Sequence, residues 1–192
     1  MKRSRRLQLV LLVVIAGGCH AKQPPPKAKP SVTLAALERL LPGTGPEQIR
    51  EALKEFGQAA YYDLFIYANV AHPWFDKAQI SIDSSTGVVS SWALYIRQNA
   101  LNERTREPFA NALESLEPSL SPKRKVIEDQ ILGTYHYEYG SASDSHMDLM
   151  SLDLNWKKKG DWSGIIYVCS SVTGPVCTRI ARALTKATLP PP

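Results

Sequence analysis

Apolar residues first recur with a helical period. Leu34, Leu37, Leu40 and Leu41 share one face behind Thr33, a residue suited to capping a helix. Pro42 and Gly43 end that segment. Pro46 opens the next, at a first-turn position where its missing N–H costs nothing. Ile49, Ala52, Leu53 and Phe56 follow at i, i+3, i+4 and i+7, and Gly57 stands as the C-cap. The period then drops towards two. Residues 60–69 are rich in Tyr, Phe and Ile. Residues 78–83 alternate apolar and polar, and 84–87 turn the chain into a further strand over 88–96. Between them, 71–75 reads as a loop, because Pro73 has no place in a central strand.

After a polar stretch over 97–106 a helical period returns with Phe109, Ala112, Leu113 and Leu116. Ser121 and Pro122 are a good cap and first residue for another helix, carrying Val126, Ile127 and Ile131. Residues 134–140 set Tyr135, Tyr137 and Tyr139 on one face and His136 and Glu138 on the other. Met150, Leu152, Leu154 and Trp156 alternate, and 157–160 turn into a last strand over 161–170. A terminal helix follows over 177–188.

These patterns correspond between halves. Residues 37–57 align without a gap on 113–133, with identities at Leu37/Leu113, Glu38/Glu114, Leu40/Leu116, Pro42/Pro118, Pro46/Pro122 and Gly57/Gly133. Gly87 and Gly160 then occupy equivalent turns. The sequence therefore predicts an α+β fold of two α-α-β-β-β repeats, with helix pairs packed on antiparallel sheet, plus a C-terminal helix. The units are 32–100 and 101–188, with 189–192 as a tail.

The N-terminus changes the picture. Lys2, Arg3, Arg5 and Arg6 precede an apolar run over 9–16, the pattern of a secretory leader covering 1–18. That run is far short of the roughly 20 residues a membrane span needs. It ends in Ala16-Gly17-Gly18-Cys19, which resembles the bacterial lipobox. The resemblance implies cleavage before Cys19, acylation of that cysteine, and anchoring by several acyl chains. His20 stands where an Asp often retains such proteins in the inner membrane, so an outer-membrane location is expected, on the periplasmic side. Residues 19–31 form a Pro/Lys tether suited to polyproline II.

The net charge of +5 belongs to these segments. Subtracting the +4 of 1–18 and the +3 of 19–31 leaves −2 for 32–192. A nucleic-acid binder keeps a basic face on its folded part, so nucleic acid is not an expected partner. Of three cysteines, Cys19 is taken if it is acylated as the lipobox resemblance implies. Cys169 and Cys177 remain as a disulfide pair across a Gly-Pro turn, in an oxidising compartment. The closed loop contributes roughly 2.6 kcal/mol by chain entropy. A metal or redox pair would want a C-x-x-C spacing or nearby histidines, and this pair has neither.

No catalytic constellation is expected. The chain has no G-x-S-x-G, H-E-x-x-H, P-loop or G-x-G-x-x-G. Asp144-Ser145-His146 is read as a polar loop. His72 with Asp76 and His136 with His146 are read as satisfied or exposed histidines, so no metal and no cofactor is expected. Aromatic residues carry more weight. Tyr135, Tyr137, Tyr139 and Trp92 are the candidate partner-binding anchors, being large, rigid and amphipathic.

Leu41-Pro42-Gly43, the helix closing on Gly57, the strand Ile80-Ser81-Ile82-Asp83 and the Gly87-Val88-Val89 hairpin resemble the small lipoprotein of the outer-membrane β-barrel assembly machinery. That family places an α-α-β-β-β unit behind a lipobox. Two units in tandem are similar to the β-lactamase inhibitor protein family, whose paired sheets form a concave protein-binding surface. The resemblance covers about residues 32–170. The family's Met after Pro-Gly is Thr44 here, and Gln58 replaces its Pro after the helix-ending Gly. The resemblance implies a protein-binding mode without chemistry, and no inhibitor contact residue carries over. The expected function is thus a membrane-anchored protein-binding module of the cell envelope. The alternatives are a small-ligand or lipid-binding lipoprotein, and a hydrolase.

Overall fold

Proline, β-branched and aromatic residues partition the folded part into short helices and long strands. A computed structural model describes residues 31–56, 64–121, 123–130, 132–140, 149–157, 161–169 and 174–192. The leader, Cys19 and the tether to residue 30 lie outside these residues. So do Gly57, the loop 141–148 with its Asp144-Ser145-His146, and Gly160.

The chain begins with β1 (Ser31–Thr33) and a 3-10 helix (Leu34–Leu40), followed by α1 (Pro46–Glu55). Thr33 accepts the Ala36 N–H at 3.2 Å. Leu34, Leu37 and Leu40 are buried at a spacing of three, which suits a 3-10 helix with three residues per turn. In α1, Pro46 sits in the first turn, and Ile49, Ala52 and Leu53 are buried. Three strands follow, β2 (Phe65–Ala71), β3 (Phe75–Ile82) and β4 (Val89–Ile96). The β3–β4 turn closes on Asp83, whose carboxylate accepts from the backbone and hydroxyl of both Ser85 and Thr86. Those four donors hold its pKa down at about 2.

Next come α2 (Arg106–Glu114), a single 3-10 turn (Pro118–Leu120), β5 (Lys123–Asp129), β6 (Thr134–Tyr139), β7 (Met150–Lys157), β8 (Asp161–Val168) and α3 (Pro175–Lys186). The eight strands form one mixed sheet in the order β1-β2-β3-β4-β8-β7-β6-β5. Only β1 runs parallel to its neighbour, β2. The helices lie on one face, and their buried residues join the inward side chains of the strands in one core.

This overturns the expected pair of α-α-β-β-β repeats. The second copy of the helix pair does not form. Residues 118–120 make one 3-10 turn, and the segment after Pro122, expected as a helix, is the edge strand β5. The physical reason is visible in its residues. Val126 and Ile127 are β-branched and adjacent, so they favour a strand and give no i, i+3, i+4, i+7 stripe to bury. Pairing with β6, Val126 opposite Tyr137 and Glu128 opposite Tyr135, supplies the partners a helix would lack. Nor are there two sheets. Trp92 to Ile96 of β4 pair with Val168 to Gly164 of β8, fusing both halves into one ladder.

Helix α3 is tied down at both ends. A disulfide joins Cys169, just past β8, to Cys177 in its first turn. Thr178 donates to the Pro42 carbonyl at 2.8 Å and Thr185 to Glu38 at 2.9 Å. The C-terminal tail returns to the first half, where the Trp74 indole N–H donates to the Pro190 carbonyl at 2.6 Å.

Candidate functional site

The four predicted anchors are not at a surface. Trp92, Tyr135, Tyr137 and Tyr139 are 1%, 5%, 0% and 0% exposed. Each faces the helices; Trp92, Tyr137 and Tyr139 use a polar atom to hold one of them, whereas the Tyr135 hydroxyl donates to Glu128 at 3.3 Å and Glu103 at 3.5 Å. The Trp92 indole donates to the Leu40 carbonyl at 2.7 Å. The Tyr139 hydroxyl donates to the Ala110 carbonyl of α2 at 3.1 Å. The Tyr137 hydroxyl donates to Glu107 at 2.8 Å and accepts from Arg106 at 2.9 Å. Arg106 also stacks over the Tyr135 ring at 3.8 Å, and Tyr135 lies parallel to Trp162 with centroids 6.0 Å apart. The tyrosine stripe on β6 is therefore the seat of α2. Desolvation first, and then the Glu107 carboxylate for Tyr137 and the Tyr137 neighbour for Tyr139, push these hydroxyls well above the ordinary tyrosine range.

The opposite face of the sheet carries no described helix, and its side chains do not join the core cluster. Strand register arranges them in rows. One row runs Tyr67–Gln79–Ala93–Tyr167–Ser151–Glu138. The next runs Asn69–Lys77–Tyr95–Ile165–Asp153–His136–Ile127. At about 4.8 Å per strand, the seven strands of this second row span about 29 Å. Tyr67 is 58% exposed and Ile127 40%; Tyr95, Ile165 and Tyr167 are half-buried among their neighbours. The Tyr95 hydroxyl donates to Gln79 at 3.0 Å. Burial raises the Tyr167 pKa, and the Asp153 carboxylate raises it further.

The rows grade from tyrosine and aliphatic residues at the centre to a polar cluster on β6 and β7. There the His136 ring contacts Asp153 through Nδ1, and its Nε2 lies 3.3 Å from Glu138. Its predicted companion His146 is outside the described residues. His72 is engaged elsewhere: its Nδ1 accepts the Trp74 N–H at 3.2 Å and its ring stacks on Phe75. Burial first, and then the Arg97 charge, lower its pKa. Among the described residues, no group of three or more His, Cys, Asp and Glu is placed to hold a metal ion. No described helix is long and apolar enough to cross a membrane.

The open-face residues Tyr67, Tyr95 and Tyr167 were not singled out from sequence, although the signal existed. In each strand the polar alternates mark the outward side: His136 and Glu138 in β6, Ser91 in β4, Gln79 and Ser81 in β3. A tyrosine in phase with those residues faces water, and one out of phase faces the core.

A separate cleft of about 640 Å³ opens between the start of α3 and the β3–β4 turn, lined among others by Pro42, Thr86, Val89, Thr178, Arg179 and Arg182. No family model matches the chain, and neither a curated protein nor a solved structure matches it.

Proposed function

We propose that this chain is a lipid-anchored envelope protein that binds another protein through the open face of its sheet. Cys19 carries the anchor and the Pro/Lys tether holds the folded part away from the bilayer. The Cys169–Cys177 disulfide fits a compartment outside the cytoplasm. The observation that carries the binding mode is the pair of rows, one across six strands and one across seven, with Tyr95, Ile165 and Tyr167 at their centre and Tyr67 at one end. Half-exposed tyrosines offer large rigid area at low entropic cost, with a hydroxyl for orientation. The acids flanking His136 suit a partner that sets an apolar patch on the tyrosines and a basic side chain over Asp153 and Glu138. Assembly of the envelope or outer membrane is the role such a module serves.

A photo-crosslinking residue at Gln79 or Ser151, in native envelopes, tests this. Discrete protein adducts are expected there, and none from Arg50 on the exposed side of α1. Absence of adducts from every open-face position, with the protein folded and in place, sinks the reading. A second reading, binding of a small ligand or lipid, is favoured by the cleft beside α3. It predicts that Arg182→Glu abolishes function while open-face substitutions leave it intact.

A further inference from the structure

Among the described residues the sheet ends in two edge strands, and they differ. At one end β1 is three uncharged residues laid along β2. At the other, β5 is seven residues whose sole strand neighbour among the described residues is β6. Its sequence, Lys-Arg-Lys-Val-Ile-Glu-Asp, is basic at the start and acidic at the end. Edge strands are commonly guarded by lysines, which repel a second strand. A guard needs one sign of charge, however, and β5 carries both, on either side of Val126 and Ile127.

That order is self-complementary. When two copies of β5 lie antiparallel about a two-fold axis at Val126, Lys125 of each lies opposite Ile127 of the other. The Lys123–Arg124 end then runs beside the Glu128–Asp129 end of the second copy. A parallel pairing would set like charges together. The β1 edge, Ser-Val-Thr, presents no charge to complement those of β5. Only the antiparallel self-pairing matches, and it closes, since each copy spends its single β5 edge on the other. A second observation points to the same edge. Of the four large apolar residues exposed among those described, Ile127 at 40% and Leu132 at 73% belong to β5 and the turn after it.

We infer that β5 is a homodimer interface, joining two sheets edge to edge into one of sixteen strands. The partner is a second copy of this chain, recognised by backbone hydrogen bonds and by the reversal of charge along the strand. Both open faces then form one continuous surface. The two β1 edges, where the tethers enter, lie at its far ends, about 70 Å apart at the usual strand spacing. The dimer is independent of what binds the open face.

Sedimentation equilibrium of the full-length chain in density-matched detergent, at several detergent-to-protein ratios, tests it. The wild type is expected to sediment as two chains. Glu128→Lys with Asp129→Lys makes the strand wholly basic, and Lys123→Glu with Arg124→Glu makes it mostly acidic. Each variant alone is expected to dimerise at least about tenfold more weakly. An equal mixture of the two restores a dimer containing one chain of each, which misfolded variants would not do. Val126→Cys, on the two-fold axis, is expected to give a reducible dimer above any background from Cys19. A wild type monomeric throughout, or charge variants that dimerise as well alone as the wild type does, overturns the inference, as does a mixture that fails to associate.

Discussion

Replacing Tyr137 with phenylalanine removes one oxygen from the seam between β6 and α2. That oxygen donates to Glu107 at 2.8 Å and accepts from Arg106 at 2.9 Å, and its residue is fully buried. A hydrogen bond to a charged group contributes about 1.5–3 kcal/mol when its partner cannot turn to water. The Glu107 side chain is 45% exposed and rehydrates readily; that of Arg106 is 15% exposed and does not. Arg106 is already short of partners, since its Nε has none among the described residues. Discounting the Glu107 bond for solvent, Tyr137→Phe is expected to cost about 1–2 kcal/mol. For a chain of this size that lowers Tm by about 2–8 °C. Tyr137→Ala also opens a cavity beneath α2 and is expected to cost about 3–5 kcal/mol. On the open face, Tyr67→Phe and Tyr167→Phe should each stay within about 0.5 kcal/mol of the wild type. Urea unfolding followed by circular dichroism, with the disulfide oxidised throughout, measures all four. If Tyr137→Phe costs no more than the open-face variants, the β6 tyrosines do not seat α2 and the assignment of faces is wrong.

Alkaline pH provides a second check. Burial, before any other cause, raises the Tyr135, Tyr137 and Tyr139 pKa values, so the folded chain keeps protons that the unfolded chain releases near pH 10. Their contribution is whole below that pH and is lost as pH rises past it. Urea midpoints should fall steeply above about pH 10, and less steeply in Tyr139→Phe. Glycine substitutions test the turns. At Gly133, φ is +66° and an added Cβ would lie 2.6 Å from the Trp156 carbonyl oxygen; at Gly43, φ is +94° and nothing lies within 4 Å. Gly43→Ala should cost about 1 kcal/mol by denaturant titration and Gly133→Ala at least about 2, because only the second adds a clash to the strain.

The local elements were legible where one period ran long enough to bury a face. The i, i+3, i+4, i+7 stripe from Ile49 to Phe56 announced α1, and the alternation in residues 78–83 and 150–156 announced β3 and β7. Cys169 and Cys177 announced their bridge, because two cysteines eight apart around a Gly-Pro turn, without a C-x-x-C spacing or neighbouring histidines, have few other uses. The expected leader and the expected acylation of Cys19 rest on sequence alone.

The segment 121–131 was misread because its caps and its interior disagree. Ser121 and Pro122 favour a helix start, whereas Val126 and Ile127 favour a strand, and local sequence has no means of weighing the two. The edge of β6 decides, since pairing there satisfies backbone groups along one side of β5. The faces of the tyrosines were undecided for a related reason. Alternation divides a strand into two sides, but which side meets water depends on where the helices land. Here α2 lands on Tyr137 and Tyr139, so those residues became core while Tyr67, Tyr95 and Tyr167 became surface. The sequence by itself determined the cysteine pair of the disulfide and the alternation within β3, β6 and β7, and it is the whole basis for expecting a leader and a lipid-accepting Cys19. Only the tertiary structure decided that β4 and β8 join in a single sheet and which of its faces stays open, because both depend on contacts between residues distant in the chain.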